Sequence, residues 1–204
     1  MLDRAVRRAV APTLERVGRR LAGIGLSAVA LTMAGLVLGL GAALAVATTR
    51  WWLGLALWLA SRLLDGLDGA VARAGVPSES GAFLDIVSDF TVYGAFVVGV
   101  AVAVPDARLA CAVLLLTYYV NGASLLAYSS LAERRGLAAG DERSLRFLGG
   151  LTEGTETVIV HSLFCIVPSA AVPIAWIFAG AVGLTAAWRT VFAARALRGS
   201  GRGS

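Results

Sequence analysis

The amino-acid sequence predicts an all-α membrane protein: six transmembrane helices preceded by an N-terminal amphipathic helix at the membrane interface. Three observations lead there. The 204 residues are 58% hydrophobic and only 15% charged, with a mean hydropathy of +0.78, far from the balance of a soluble domain. Long uncharged stretches recur at lengths near the ~20 residues that cross a bilayer. The 24 glycines suit membrane helices, whose backbones approach closely at small residues.

The elements follow in order. Val6, Val10, Leu14, Val17 and Leu21 recur at helical spacing, with Arg4, Arg7, Arg8, Arg16, Arg19 and Arg20 around that stripe. This is the pattern of a helix in the headgroup layer of an anionic membrane. So many arginines, with no short apolar core before a small-residue cleavage site, argue against a cleavable signal peptide. Residues 22–49 carry no charge and hold the first span. The second runs from about Trp51 to Arg73, with Trp51 and Trp52 as an interfacial anchor. The third reaches from Gly81 to Val104 before Pro105, and the fourth covers 108–132. Pro168 and Pro173 divide the last apolar stretch into a fifth span over 145–167 and a sixth over 173–197. The predicted domains are therefore a juxtamembrane helix over 1–21, a six-helix unit over 22–198 and a flexible tail over 199–204.

Arginine placement orients the bundle. All 18 basic residues are arginine, and 14 of them fall on the side that holds both termini, the 73–81 turn and the 133–146 loop. The positive-inside rule makes that side cytoplasmic. Cys111, Cys165 and His161 each lie in apolar runs. The cysteines read as reduced packing residues and the histidine as a hydrogen-bonded one.

The stretch from Asp65 to Asp89 carries the chemistry. It sets four aspartates and Arg73 among glycines inside hydrophobic sequence. An ionised Asp at a helix centre costs roughly 2.5–3.5 kcal/mol on insertion scales, so four would not persist there without a use. Asp65 and Asp68 share a helix face at i, i+3, and Asp85 and Asp89 share another at i, i+4. Two such helices face to face form a carboxylate box, at one level near the cytoplasmic surface. Helix-end charges paired with Arg62 and Arg73 are the plainer reading, but two arginines do not balance four carboxylates. All-oxygen ligands favour Mg²⁺ or Mn²⁺, and a metal so held can grip a pyrophosphate during displacement at phosphorus. Gly69 and Ala72 keep the adjacent face free of bulk, so that a nucleotide could lie against the backbone. Arg73 could meet phosphate or another carboxylate. One aspartate could take the proton of an attacking hydroxyl; Asp89 is the best placed by elimination, though spacing alone leaves this open.

The pattern Asp65-x2-Asp68-Gly69-x2-Ala72-Arg73-x7-Gly81-x3-Asp85-x3-Asp89 resembles the signature of the CDP-alcohol phosphotransferases, also called CDP-alcohol phosphatidyltransferases. All eight signature residues are present within 25 residues. The resemblance implies transfer of a substituted phosphate from a CDP-linked donor to an alcohol, with release of CMP. It implies that Asp65, Asp68 and Asp85 bind two Mg²⁺ or Mn²⁺ ions and that Asp89 assists as ligand and general base. Asp68, Gly69, Ala72, Arg73 and Gly81 would shape the CDP site. It also implies a homodimer in the lipid bilayer, with CDP-diacylglycerol as donor and a small alcohol as acceptor; nucleic acid is not an expected partner. The expected setting is a bacterial inner membrane, with the active site facing the cytoplasm. There is one departure: Thr32-Met-Ala-Gly35 matches a first-span motif of many members, but Ala28-Val29 stands where they have Pro-Asn.

Two features bear on the acceptor. Arg143 and Arg146, with Arg134 and Arg135, cluster at the cytoplasmic ends of the fourth and fifth spans. They could hold an acceptor phosphate or anchor the protein at anionic headgroups. Glu153 and Glu156 lie at i, i+3 in the fifth span, level with the aspartates. They could meet an amine or hydroxyl acceptor, or form an intramembrane ion pair with Arg146 or Arg189. The surrounding Thr-Glu-Gly is similar to a stretch in the choline and ethanolamine phosphotransferases, so a CDP-amino-alcohol donor with a lipid alcohol acceptor is the alternative. A divalent-cation transporter would need polar pathways on both sides, and the extracellular halves of these spans are almost wholly apolar.

Overall fold

The computed structural model describes residues 2–75, 78–134 and 154–199, and these are built from helices. In chain order they are α1 (Leu2–Gly23), α2 (Ala28–Ala47), α3 (Trp51–Ala74), α4 (Glu79–Ala103), α5 (Arg108–Arg134), α6 (Gly154–Ile166) and α7 (Ala171–Gly199). Single 3₁₀ turns at Pro105–Ala107 and Pro168–Ala170 lead into α5 and α7.

Local chemistry sets these boundaries. Ser27 caps α2 by accepting from the Ala30 amide at 3.2 Å, and Ser78 caps α4 by accepting from the Gly81 amide at 3.1 Å. Glu79 in the first turn of α4 complements its dipole. Pro105 and Pro168 lack an N–H and crowd the residue before them, so each stops one helix and starts a 3₁₀ turn. The α1–α2 turn passes through Gly25 at φ 81°, a backbone region open to glycine.

Helix α2 packs on α3 and α4, α5 packs on α7, and α1 and α6 both lie against α3. The buried face of α2 is mostly small, with Gly35, Gly39, Ala42, Ala43 and Ala45 beside Leu31, Thr32 and Val46. That permits close approach. A Cβ on Gly99 of α4 would stand 2.5 Å from the Ala43 carbonyl oxygen, and one on Gly18 of α1 would stand 2.6 Å from Ala70 Cβ. The core gathers Trp58, Phe96, Leu114, Phe164 and Val182. His161 lies within it and is wholly buried. Its ring stacks on Trp58 at 4.7 Å, and its Nδ1–H donates to the Thr157 carbonyl at 2.8 Å. This is the hydrogen-bonded packing role expected of it. Cys111 and Cys165 are buried free thiols.

The all-α expectation holds. Ala28–Ala47, Glu79–Ala103, Pro105–Arg134 and Pro168–Leu197 are long and apolar enough to cross a membrane. Helix α3 has the length, 24 residues, but carries Arg62 at its middle and Asp65, Asp68 and Arg73 along its second half. Helix α6 is described over 13 residues; the preceding part of the fifth predicted span lies outside the described residues.

Candidate active site

Two helix segments supply the acidic side chains. The second half of α3 presents Asp65 and Asp68, and the first turns of α4 present Asp85 and Asp89. Carboxylate oxygens of Asp65, Asp68 and Asp85 lie within 4.8 Å of one another. Asp68 is nearly sealed, at 4% exposure. Its Oδ2 accepts a 2.6 Å hydrogen bond from the Thr32 hydroxyl of α2, which also lies 3.1 Å from the Ala28 carbonyl. Thr32 therefore ties the first apolar helix to the acidic cluster, although Ala28 and Val29 depart from the family motif.

Asp89 is held differently. Arg62, one turn before Asp65 on α3, donates to Asp89 Oδ1 at 2.6 Å and lies 3.5 Å from Asp65 Oδ1. The same guanidinium donates to the Tyr93 hydroxyl at 3.1 Å and to Ser61 Oγ at 3.1 Å. Ser61 in turn donates to the Gly35 carbonyl at 2.7 Å, which links α3 to α2.

The donor set fits a hard divalent cation. Three carboxylates this close repel one another, and among the described residues no arginine is paired with Asp68 or Asp85. Oxygen ligands crowded in this way suit Mg²⁺ or Mn²⁺. The cluster opens on a cavity of about 1100 Å³ lined by residues of α1 and α3 to α7, among them Asp85, Arg73, Tyr93 and Arg189. Gly69 and Gly66 also line it. Gly81 is half-buried, and a Cβ there would touch Ser78 and Val29 no closer than 3.6 Å. Space inside the chain therefore does not demand glycine at 81. Ala72 is half-buried, and Arg73 is exposed at the end of α3.

The expected acceptor residues divide. Glu153, Arg143 and Arg146 lie outside the described residues. Glu156 is half-buried in the first turn of α6. Its neighbours Thr155 and Thr157 line the cavity, and Glu156 is not among the lining residues. Asn121, which the sequence reading does not single out, stands on the cavity wall of α5 and accepts from Arg189 of α7 at 2.9 Å. An arginine mid-span in an apolar helix was the available signal. Arg62 pairs with the aspartates, as the plainer reading of the sequence has it, and no such pair is found for Arg73 among the described residues.

The chain belongs to the CDP-alcohol phosphatidyltransferase family, whose model matches residues 26–192. It is accordingly a phosphotransferase, with the metal-binding type of site its family uses. It is 38% identical over 173 residues to inner membrane protein YnjF of Escherichia coli (strain K12), covering 83% of this chain and 84% of that protein. The fold is similar to that of Mycobacterium tuberculosis phosphatidylinositol phosphate synthase, PgsA1, solved with CDP-DAG bound. That match has a TM-score of 0.69 at 23% identity and covers 88% of this chain and 92% of the other. The same synthase in complex with manganese and citrate gives a TM-score of 0.69 at 23% identity, covering 88% of each chain.

Proposed function

We propose that this protein moves a phosphatidyl group from CDP-diacylglycerol to the hydroxyl of a small alcohol, releasing CMP, as a step in phospholipid synthesis. One observation carries the reading: three carboxylates within 4.8 Å of one another at the edge of a cavity large enough for nucleotide and acceptor together. The family membership and the CDP-DAG named with its structural neighbour support it.

In this account Asp65, Asp68 and Asp85 hold the divalent cation. When bound, that cation neutralises the donor pyrophosphate and the charge that develops on the leaving CMP. Thr32 fixes the Asp68 carboxylate by its hydrogen bond. Gly69 and Ala72 leave the α3 surface clear for the cytidine, and Arg73 meets donor phosphate. Asp89 takes the acceptor's proton on Oδ2, because Oδ1 is engaged by Arg62. The acceptor oxygen then forms a bond to the phosphorus of the phosphatidyl group, the bond from that phosphorus to CMP breaks, and CMP departs.

The acceptor enters beside Arg189 and Asn121, on the part of the cavity wall contributed by α5 and α7. A cation there suits an acceptor that carries a phosphate, with Arg143 and Arg146 as its further partners. Glu153 and Glu156 would instead serve an amine or hydroxyl acceptor, or the CDP-amino-alcohol alternative. The lipid tails of the donor lie in the bilayer. In this reading α3 and α6 cross with the four apolar helices to complete six spans over 22–198, and α1 rests at the interface. The tail from 199 stays in the cytoplasm, which both termini and the site face. The protein acts as a homodimer, in an inner membrane such as the one named for its relative YnjF.

The test is purified protein with labelled CDP-diacylglycerol and a panel of alcohols, with and without phosphate, lipid products being identified by mass. A phosphatidyl product formed with a phosphorylated alcohol, and a several-fold higher KM for that alcohol in Arg189→Gln, would support the assignment. Product formed only from CDP-choline or CDP-ethanolamine with diacylglycerol would replace it with the alternative.

A further inference from the structure

Helix α1 is a thinly attached wall of the active-site cavity. From residue 10 onward its one buried residue is Gly18, seated where a Cβ would stand 2.6 Å from Ala70 Cβ on α3. One turn earlier Leu14 covers Gly66, its Cδ1 3.2 Å from where a Cβ would be. From this seat Val10, Ala11, Leu14 and Glu15 line the cavity together with Gly66, Gly69 and Arg73 of α3. The face turned away from α3 is cationic. Arg16, Arg19 and Arg20 share it at i, i+3 and i+4 and are all exposed. No ion pair is found for them among the described residues. Val10 and Val17, on the apolar side, are 42% and 38% exposed. Helices are stabilised mostly by packing of an apolar face, and α1 buries little of its own. Half-covered valines beside a cationic face complement a bilayer that carries anionic headgroups, apolar below and negative above.

We infer that anionic phospholipid regulates the site: headgroups bound by Arg16, Arg19 and Arg20 hold α1 against α3 and so complete the cavity wall. Lipid charge then acts on the substrate cavity itself, beyond fixing where α1 lies. Where the surface is neutral, α1 loosens from the Gly66 and Ala70 notch and the cavity loses that wall. The effect on turnover rests on the phosphatidyl transfer proposed above; the seating of α1 does not.

Two readouts separate the seat from the chemistry. Full-length protein is placed in nanodiscs of phosphatidylcholine alone, or of an equal mixture with phosphatidylglycerol, with the same small fraction of CDP-diacylglycerol in each. Amide hydrogen exchange over the described part of α1 should slow several-fold in the mixture, as arginines at a negative surface would have it, and high salt should reverse this. Phosphatidyl transfer should rise in parallel. In the combined Arg16→Gln, Arg19→Gln, Arg20→Gln variant both responses should vanish, while transfer in phosphatidylcholine keeps the wild-type value. Gly18→Val, which pushes α1 off Ala70, should hold transfer low in either lipid. Equal exchange in the two lipids, or a response that survives the triple replacement, would overturn the inference. Slowed exchange with no rise in transfer would overturn it too, because α1 would then be held without effect on the site. No transfer under any condition would overturn the proposed function, and the exchange measurement would still decide how α1 is seated.

Discussion

Asp68 and Asp89 belong to one acidic site and are held in opposite ways. Asp68 is nearly sealed from solvent and accepts from a neutral threonine hydroxyl. Asp89 keeps 30% of its side chain exposed and is paired with a buried arginine. A neutral donor orients a carboxylate but leaves its charge to be met from outside, whereas a guanidinium meets that charge within the fold. In the proposed function the first arrangement serves a metal, and the second keeps a carboxylate for the acceptor's proton. The difference lies in which residue the neighbouring helix offers: Thr32 on α2 for Asp68, Arg62 on α3 for Asp89.

The largest effect should come from breaking the open end. Asp68→Asn keeps the shape and removes the charge, so transfer should fall by at least about 100-fold, beyond the 10–100-fold typical of residues that only support a ligand. Near-normal turnover in a properly assembled Asp68→Asn protein would contradict the role given to the cluster. A smaller effect should follow from removing the hydroxyl while keeping the carboxylate. Thr32→Val should weaken Mn²⁺ binding by roughly 10–100-fold, and Thr32→Ser should restore most of it. Equal affinity in Thr32→Val and wild type would make that hydrogen bond a mere neighbour of the site. The smallest effect on chemistry is expected at Gly99, nearly three helical turns beyond Asp89 on α4. A side chain there meets the Ala43 carbonyl at 2.5 Å, so Gly99→Val should destabilise the fold by about 1–3 kcal/mol. Thermal unfolding in detergent should register that loss while the Mn²⁺ count of the folded protein stays unchanged.

The contrast also explains what could be read from sequence. The helix ends before Pro105 and Pro168 were legible because a proline acts on its immediate neighbours, whereas the starts capped by Ser27 and Ser78 fall a few residues from the predicted 22 and 81. The pairing of the acidic residues was legible too, since i, i+3 and i, i+4 spacings fix a shared face and the short α3–α4 turn returns the chain to the same level. Contacts between helices were not, because they depend on how each helix is rotated against its neighbours. Arg62 meets Asp89 across 27 residues, and Ser61 meets Gly35 across 26. Nothing local announces either pair. His161 is the favourable case, since its partner Thr157 lies one turn away on its own helix.

The central claim is that the Asp65, Asp68 and Asp85 cluster makes this a metal-dependent CDP-alcohol transferase. Release of CMP from CDP-diacylglycerol, measured on metal-stripped protein as Mn²⁺ is added back in the presence of the acceptor, tests it most directly. The account predicts no release without the ion, a rise that follows saturation of the carboxylate site, and reversal by a chelator. Sustained CMP release from the stripped protein, unchanged by added Mn²⁺ or Mg²⁺, would contradict it.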